Sequence, residues 1–527
     1  MRLAILAGLL AAAFWSEQSQ AEDRVPNIVV ILADDLGWTD LSGPNLGPYT
    51  SDFYETPHLD ALAAGGMRFT NSYSAGSVCT PTRASLLTGR YPASVRLTNF
   101  LGKQQAHETE KLLAPQIESS LSPDQVTVAE ELKAAGYATA HLGKWHLGST
   151  RMRQGFDTSV VYTKVVKEGP WDVHRINGLT QKAVEFIEVN RDNPFFLYLA
   201  HFAPHMPATT RPDLQAKYEA KSPGQNHGNA QYAGLVEHLD ASVGQVMAKL
   251  DELGLTDSTL VVFTSDNGGK LELTSNAPLR GGKIQLYEGG IRVPAIVHLP
   301  GVIEAGSINR TPITTPDFFP TFLEMVGVAG SSPEVLDGES LVPLLTQTGK
   351  LQRDAIYWHY PHYTPRYGRP TGAIRQGDWK LLEFFEDDRV ELYNLARDLD
   401  ETDDLAWVEA DKAIELHRML TAWRSEVAAQ MPRVNPDYAI PIRLLGDLNS
   451  DGLLNSMDLA IVLNAWGQEV VINDPTGDGL MDSMDLAYVL NGWANRVTRS
   501  QPEPASFWLL AFAGLLVSGR KYRRHVA

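Results

Sequence analysis

The chain has one cysteine, Cys79, in 527 residues. A lone thiol can form no disulfide within its own chain, so the fold must rest on buried core instead of cross-links. Basic residues are scarce as well: 45 Lys and Arg stand against 63 Asp and Glu, a formal net charge of −18. That balance argues against non-specific nucleic-acid binding and fits a soluble protein with an affinity for Ca²⁺. It still permits a locally basic pocket around an anionic substrate. Long hydrophobic runs are missing too. The apolar stretches at the two ends, Leu3–Trp15 and Phe507–Val517, fall short of the roughly 20 residues of a comfortable membrane span.

The first stretch follows Arg2 and precedes Ser19-Gln20-Ala21, the layout of a signal peptide over residues 1–21. An exported chain with an unpaired cysteine is a combination that asks for a chemical explanation. The second stretch lies between Pro502-Glu503-Pro504 and a basic end with Arg520, Lys521, Arg523 and Arg524, which favours the cytoplasmic side. Residues 500–527 resemble the PEP-CTERM sorting signal. That resemblance implies a transient membrane anchor, removal by a sorting peptidase, and delivery to the cell surface or extracellular matrix. A permanent tail anchor is the alternative.

Between Asn27 and about Leu345, apolar runs without polar alternation recur: NIVVIL, FFLYLA, TLVVFTS and VPAIVHL. Such runs fit strands buried on both faces of a parallel sheet. Helix patterns separate them, among them TVAEELKAAGY with Thr127 and Glu130 at capping-box spacing, and the long Tyr232–Gly254 segment. The expected fold is α/β, a doubly wound and mostly parallel sheet over residues 22–351, in which ligands sit beyond the carboxyl ends of strands. From 352 to 440 the character shifts to AIRQGDWKLLEFF and RVELYNL, an antiparallel pair in a smaller α+β subdomain, followed by the acidic ARDLDETDDLA.

Residues 441–497 contain a repeat, with Asp458 answered by Asp485 at a period of 27 residues. Oxygen-bearing side chains fall at Asp447, Asn449, Asp451, Asn455 and Asp458 around Gly452, then at Asp474, Thr476, Asp478, Asp482 and Asp485 around Gly479. This is the spacing of a Ca²⁺ loop with a glycine at its sharp turn. Each loop runs into a single apolar helix. The segment resembles a dockerin domain, a small α Ca-loop module, which implies Ca²⁺ in the loops and a cohesin-like protein partner.

The chemistry lies at the expected strand ends. Asp34 and Asp35 follow the first strand, and Asp266 and Asn267 follow TLVVFTS. Three carboxylates and an amide converging on one sheet edge form a hard oxygen site suited to Ca²⁺ or Mg²⁺. Cys79 opens CTPTRASLLTGR, which fits the C-x-P-x-R-x(4)-T-G-R signature of the type I sulfatases; GKWHLG and the DD and DNG pairs extend the resemblance over Pro26 to about Asp400. The resemblance implies an alkaline-phosphatase-like fold and oxidation of Cys79 to Cα-formylglycine by a formylglycine-generating enzyme. The hydrated aldehyde is then the nucleophile, beside a divalent metal at Asp34, Asp35, Asp266, Asn267 and residue 79. It also implies that Arg83, Lys144, His146, His205 and Lys283 serve the sulfate group.

The expected activity is hydrolysis of sulfate esters on a sulfated polysaccharide. The resemblance leans toward members acting on galactose or N-acetylgalactosamine sulfates. The rival readings are a phosphate or phosphonate ester hydrolase of the same superfamily and an inactive surface interaction protein. With one metal set of DD and DN and no second His and Asp cluster, a two-metal phosphatase is disfavoured. YWHYPHY, with His359 and His362 among aromatics, reads equally as a carbohydrate subsite or a packed loop.

Overall fold

A computed structural model describes residues 25–102, 110–149, 151–161, 167–328, 335–364, 368–438, 448, 456–468, 480–487 and 489–490. They fall into two compact units. One runs to Val434 apart from a short segment ending at Lys111; that segment joins the second unit, which continues from Asn435.

The first unit is built on an eight-stranded sheet. Its strands are β1 (Asn27–Ala33), β2 (Met67–Phe69), β3 (Ala138–Gly143), β4 (Thr158–Val160), β5 (Phe195–Ala200), β6 (Thr259–Ser265), β7 (Ala295–His298) and β8 (Ser307–Asn309). The spatial order is β8-β2-β7-β6-β1-β5-β3-β4. The central strands β6, β1, β5 and β3 are parallel. All seven residues of β1 are buried because its two faces serve two cores. Ile28, Val30 and Leu32 pack with α2 (Cys79–Thr88), α3 (Val128–Ala134) and α6 (Phe318–Met325). Val29, Ile31 and Ala33 pack with α1 (Pro57–Gly65), α4 (Ile176–Val189) and α5 (Ala230–Glu252). This is the doubly wound arrangement, and it explains the uninterrupted apolar runs.

One strand departs from the expectation. VPAIVHL yields the shorter β7, which pairs antiparallel with both β6 and β2. A strand buried on both faces has no sequence feature that records its direction, so the sheet is mixed. The capping box at Thr127 is present in full: the Thr127 hydroxyl accepts from Glu130 N, and Glu130 Oε2 accepts from Thr127 N at 2.8 Å.

The expected antiparallel pair proves to be part of a four-stranded sheet, β9 (Ile356–Tyr360), β10 (Thr371–Gln376), β11 (Trp379–Phe384) and β12 (Arg389–Asn394), covered by α7 (Ala410–Glu426). It belongs to the same compact unit as the large sheet. Here YWHYPHY is a packed aromatic segment. His362 is buried and its Nε2 meets Thr98 Oγ1 at 2.8 Å; buried His359 Nε2 meets Gln430 O at 2.9 Å; Tyr357 stacks on Trp423. Burial pushes both imidazoles down, His359 to about 4 and His362 to about 3, so neither offers a cation to a sugar anion.

In the second unit, α8 (Ser456–Asn464) and helical residues 483–487 share a small core of Leu459, Val462, Met481, Leu486 and Val489. Leu459 with Leu486 and Val462 with Val489 are equivalent positions of the repeat. Asp458 Oδ1 accepts from Leu448 N at 2.8 Å, and Asp485 Oδ2 accepts from Asp482 N at 2.7 Å. The remaining loop positions, Asp447, Asn449, Asp451, Asn455, Asp474, Thr476 and Asp478, lie outside the described residues, as do the signal peptide and the sorting tail.

Candidate active site

Four neighbouring parallel strands each deliver residues at their carboxyl ends: Asp34 and Asp35 after β1, Asp266 and Asn267 after β6, Lys144 and His146 after β3, His205 beyond β5. Backbone contacts lock these loops together. Asp35 N donates to Asp266 Oδ1 at 3.1 Å, Leu36 N to Ser265 Oγ at 3.0 Å, and Lys144 N to Ala200 O at 2.8 Å. Gly143 makes the last contact feasible: it sits at φ 110°, and a Cβ there would lie 2.0 Å from Ala200 O. Gly268 is confined in the same way, since a Cβ would lie 1.9 Å from Gly289 O.

Cys79 is the first residue of α2, after extended Val78, and every residue of that helix is buried. Its position at the helix start suits developing negative charge. The Sγ lies 3.5 Å from Asp34 Oδ1, 3.9 Å from Asp35 Oδ1 and 3.5 Å from Lys283 Nζ. One turn on, fully buried Arg83 reaches Asp266 Oδ2 through Nε at 2.9 Å and Nη2 at 2.7 Å, and its Nη1 donates to Lys144 O at 2.9 Å. Arg83 therefore braces Asp266 and the Lys144 loop from behind.

The other cations face the carboxylates directly. Lys144 Nζ is 2.6 Å from Asp34 Oδ2, and Lys283 Nζ is 2.5 and 2.7 Å from the two oxygens of Asp35. His205 Nε2 stands 3.6 Å from Asp35 Oδ2, and Asn267 Nδ2 donates to Asp35 Oδ1 at 2.8 Å. All ten residues expected at the site are thus gathered into one cluster. Sequence reasoning missed three supports. Ser265 receives Leu36 N and donates to Asn267 O at 3.0 Å; Tyr232 donates to Asp40 at 2.6 Å and to Asp35 O at 3.3 Å. Ser265 could have been found from its place just before the Asp-Asn pair, whereas nothing in the sequence marks Tyr232 or Asp40.

Three carboxylates (Asp34, Asp35, Asp266) face three cations (Arg83, Lys144, Lys283), so the buried charge is balanced. Burial opposes ionisation of Asp34, yet Lys144 and Arg83 hold it well below the usual carboxylate range; Asp35 is lowered too, with Lys283 outweighing its burial and the charge of Asp34. Asp266 goes the other way, raised by burial and by the charge of Asp34. Burial pushes the Cys79 thiol up to about 12, with Asp266 and Asp34 adding to the effect. Burial together with Lys144 and Arg83 pushes His146 down to about 3, leaving a neutral imidazole whose buried Nδ1 has no hydrogen-bond partner among the described residues. Three non-glycine residues here adopt left-handed backbone: Asp35 (φ 65°), His146 (φ 54°) and Ile284 (φ 87°), next to Lys283.

The oxygens of Asp34, Asp35 and Asn267 are the donors in this cluster that fit a hard divalent cation. Ligand atoms of Asp34, Asp35, Cys79 and His205 all lie within 4.8 Å of one another. Asn267 Oδ1 is buried with no hydrogen-bond partner among the described residues, a carbonyl oxygen available to a cation. Both Asp266 oxygens already receive protein donors, from Asp35 N and Arg83.

Comparison with known proteins follows the same outline. The family model described as Sulfatase matches residues 26–328, and that described as N-sulphoglucosamine sulphohydrolase, C-terminal, matches 282–426. A sulfatase of Formosa agariphila is 34% identical over 513 residues, covering 80% of this chain and 92% of its own. The N-acetylgalactosamine-6-sulfatase of Rattus norvegicus is 34% identical, covering 71% of this chain and 72% of its own. Among solved structures, Ps i-CgsB in complex with k-i-k-neocarrahexaose superimposes with a TM-score of 0.66 at 29% identity, covering 80% of this chain and 94% of that one.

Proposed function

The chain belongs to the sulfatase family and is a sulfuric ester hydrolase, and on that premise we propose that its nucleophile is a hydrated Cα-formylglycine formed from Cys79. One observation carries the reading: Cys79, the first residue of α2 and of the C-x-P-x-R-x(4)-T-G-R run, lies 3.5 Å from Asp34 Oδ1, 3.9 Å from Asp35 Oδ1 and 3.5 Å from Lys283 Nζ, inside the charged cluster. Burial pushes its thiol up and so disfavours the thiolate that a cysteine nucleophile needs.

A hydrated aldehyde at residue 79 would supply one hydroxyl to attack sulfur and a second whose deprotonation expels sulfate. A Ca²⁺ or Mg²⁺ held by Asp34, Asp35, Asp266 and Asn267 would offset the carboxylates and lower the pKa of the attacking hydroxyl. The protein's own groups do the rest. Lys283 and Lys144, paired with Asp35 and Asp34, would offer two ammonium charges to the sulfate oxygens as they gain charge in the transition state. Lys283 or half-exposed His205 delivers the proton that the leaving alcohol needs. His146, neutral down to about pH 3, accepts the proton whose loss releases sulfate. Arg83 keeps Asp266 and the Lys144 loop in place.

The substrate we propose is a sulfated polysaccharide, supported by a relative named for N-acetylgalactosamine 6-sulfate and by the likeness to a structure holding a neocarrahexaose. We assign Ca²⁺ to the C-terminal repeat, with a cohesin-like partner, on its loop spacing and its paired Leu459/Leu486 core. Export and a cleaved sorting tail rest on the two terminal sequences. The decisive experiment is the mass of the tryptic peptide carrying residue 79 from protein made in its native host, alongside turnover of p-nitrophenyl sulfate. Formylglycine with turnover is expected; unmodified cysteine in fully active protein would overturn the reading.

A further inference from the structure

A cleft of about 380 Å³ is lined in part by the segment that carries Lys283. Its walls are Arg280 and Tyr287 from that segment, and Arg369, Phe384 and Arg389 around the four-stranded sheet. We propose that this cleft is a second anion site, which takes the sulfate or carboxylate of a sugar unit neighbouring the one being cleaved. The inference rests on the polysaccharide reading above.

The arginines are presented as a built surface. The Arg280 guanidinium lies 4.0 Å from the centre of the Tyr287 ring, and that of Arg389 lies 3.9 Å from the Phe384 ring. Cations stacked on aromatic faces are held flat and partly stripped of water. Arg280 approaches Glu391 at 3.8 Å, Arg369 meets Glu386 at 2.6 Å, and Arg389 pairs with Glu391 and approaches Asp387 at 3.9 Å, but none of these carboxylates is among the residues that line the cleft. A guanidinium has five N–H donors. Toward the described residues Arg280 commits Nη1, to Tyr393 OH at 2.9 Å and Glu401 O at 2.7 Å, and Arg369 commits Nη1 to Glu386, which leaves further N–H donors for an incoming anion. Planar donors of this kind suit oxyanions, which they bind in pairs.

The placement favours a polymer over a free ion. Arg280 and Lys283 are three residues apart, so their Cα atoms are within about 11 Å. An oligosaccharide with one sulfate at residue 79 has a neighbouring unit within reach of the cleft. The two sites share one segment of chain, so occupation of the cleft would also steady Lys283.

The test uses full-length protein loaded with formylglycine and compares wild type with Arg369→Ala/Arg389→Ala, two exposed positions outside the reacting cluster. Affinity for dextran sulfate is measured by titration at two salt concentrations with unsulfated dextran as control, and kcat/KM is measured on p-nitrophenyl sulfate. The proposal expects the double variant to bind dextran sulfate at least about tenfold more weakly, with less dependence on salt, and to keep its kcat/KM on the small ester. Equal affinity in both proteins overturns it, as does equal binding of unsulfated dextran. Arg369→Lys/Arg389→Lys, which keeps the charges but not the paired planar donors, should stay weaker than wild type while melting like it; recovery of full wild-type affinity would overturn paired recognition by guanidinium. Wild type that binds dextran sulfate through these arginines but hydrolyses no sulfate ester would refute the catalytic reading and leave the anion site standing.

Discussion

Glu401→Gln should flatten the pH dependence of stability, and the size of the change follows from a buried cluster beside the active-site segment. Glu401, Glu288 and Lys380 are all fully buried. Lys380 Nζ lies 2.9 Å from Glu288 Oε1 and 2.8 Å from Glu401 Oε1, and Glu401 Oε2 accepts from Glu288 N at 2.7 Å. Burial pushes Glu401 up to about 7, because Lys380 is shared with Glu288. Glu288 is held down at about 2 against its burial, by Lys380 and then Arg292. Between 4.5 and about 7 the unfolded chain has lost the Glu401 proton while the folded chain keeps it. Stability therefore falls as pH rises through this window, by about 3 kcal/mol for this one group. A glutamine keeps the acceptor for Glu288 N and carries no charge at any pH. Urea unfolding followed by tryptophan fluorescence at intervals from pH 4.5 to 8 should show the variant gaining about 3 kcal/mol on wild type across that range. Parallel stability curves would refute a buried, protonated Glu401.

Lys283→Ala should lower kcat/KM on p-nitrophenyl sulfate by about 10²–10³, the cost of losing one preorganised charge, and should also destabilise the metal-free protein, since buried Asp35 loses its partner; a folded variant of near-normal activity would remove Lys283 from the chemistry. His146→Ala should release a stoichiometric burst of p-nitrophenol and then turn over slowly. Because His146 is neutral above about pH 3, its loss should leave the acid limb of the rate profile in place; a shifted acid limb would contradict that assignment. Asp35→Asn, or removal of the metal by chelator, should reduce activity by orders of magnitude, and full activity of metal-free protein would show that the oxygen cluster is not catalytic. Addition of Ca²⁺ to the fragment 441–496 should raise its helix content in circular dichroism, and an unchanged spectrum would remove the Ca-loop reading.

The parts of this molecule legible in its sequence are those where chemistry and local pattern coincide. Apolar runs place β1, β5 and β6 almost to the residue, and the residues just past their ends include the reacting groups, because a parallel sheet gathers its strand ends at one edge. The direction of β7 was not legible, since both faces of that strand are buried. The ambiguity in YWHYPHY was resolved only by packing: His359 and His362 bond to Gln430 and Thr98, partners 71 and 264 residues away. Glu401 shows the limit most clearly. It sits in ARDLDETDDLA, which reads as a solvated acidic run, yet its carboxylate is buried against Lys380. Its setting is decided by a distant strand, and no local period carries that information.

The left-handed backbone at Asp35, His146 and Ile284 bears on how the enzyme would fail. Each such residue costs about 1 kcal/mol or more relative to a relaxed backbone, most for β-branched Ile284, and persists only while its surroundings impose it. Three of the nine such residues in the described chain stand around this one cluster and make the catalytic edge a preloaded spring. When denaturant weakens the surroundings, local release there lowers the energy before the sheet itself opens. Activity should therefore disappear at a lower urea concentration than the fluorescence transition, with the large parallel sheet still intact in far-ultraviolet circular dichroism, and dilution should restore it on the timescale of loop closure and not of refolding. Coincident loss of activity and fold would mean that the edge holds no such tension.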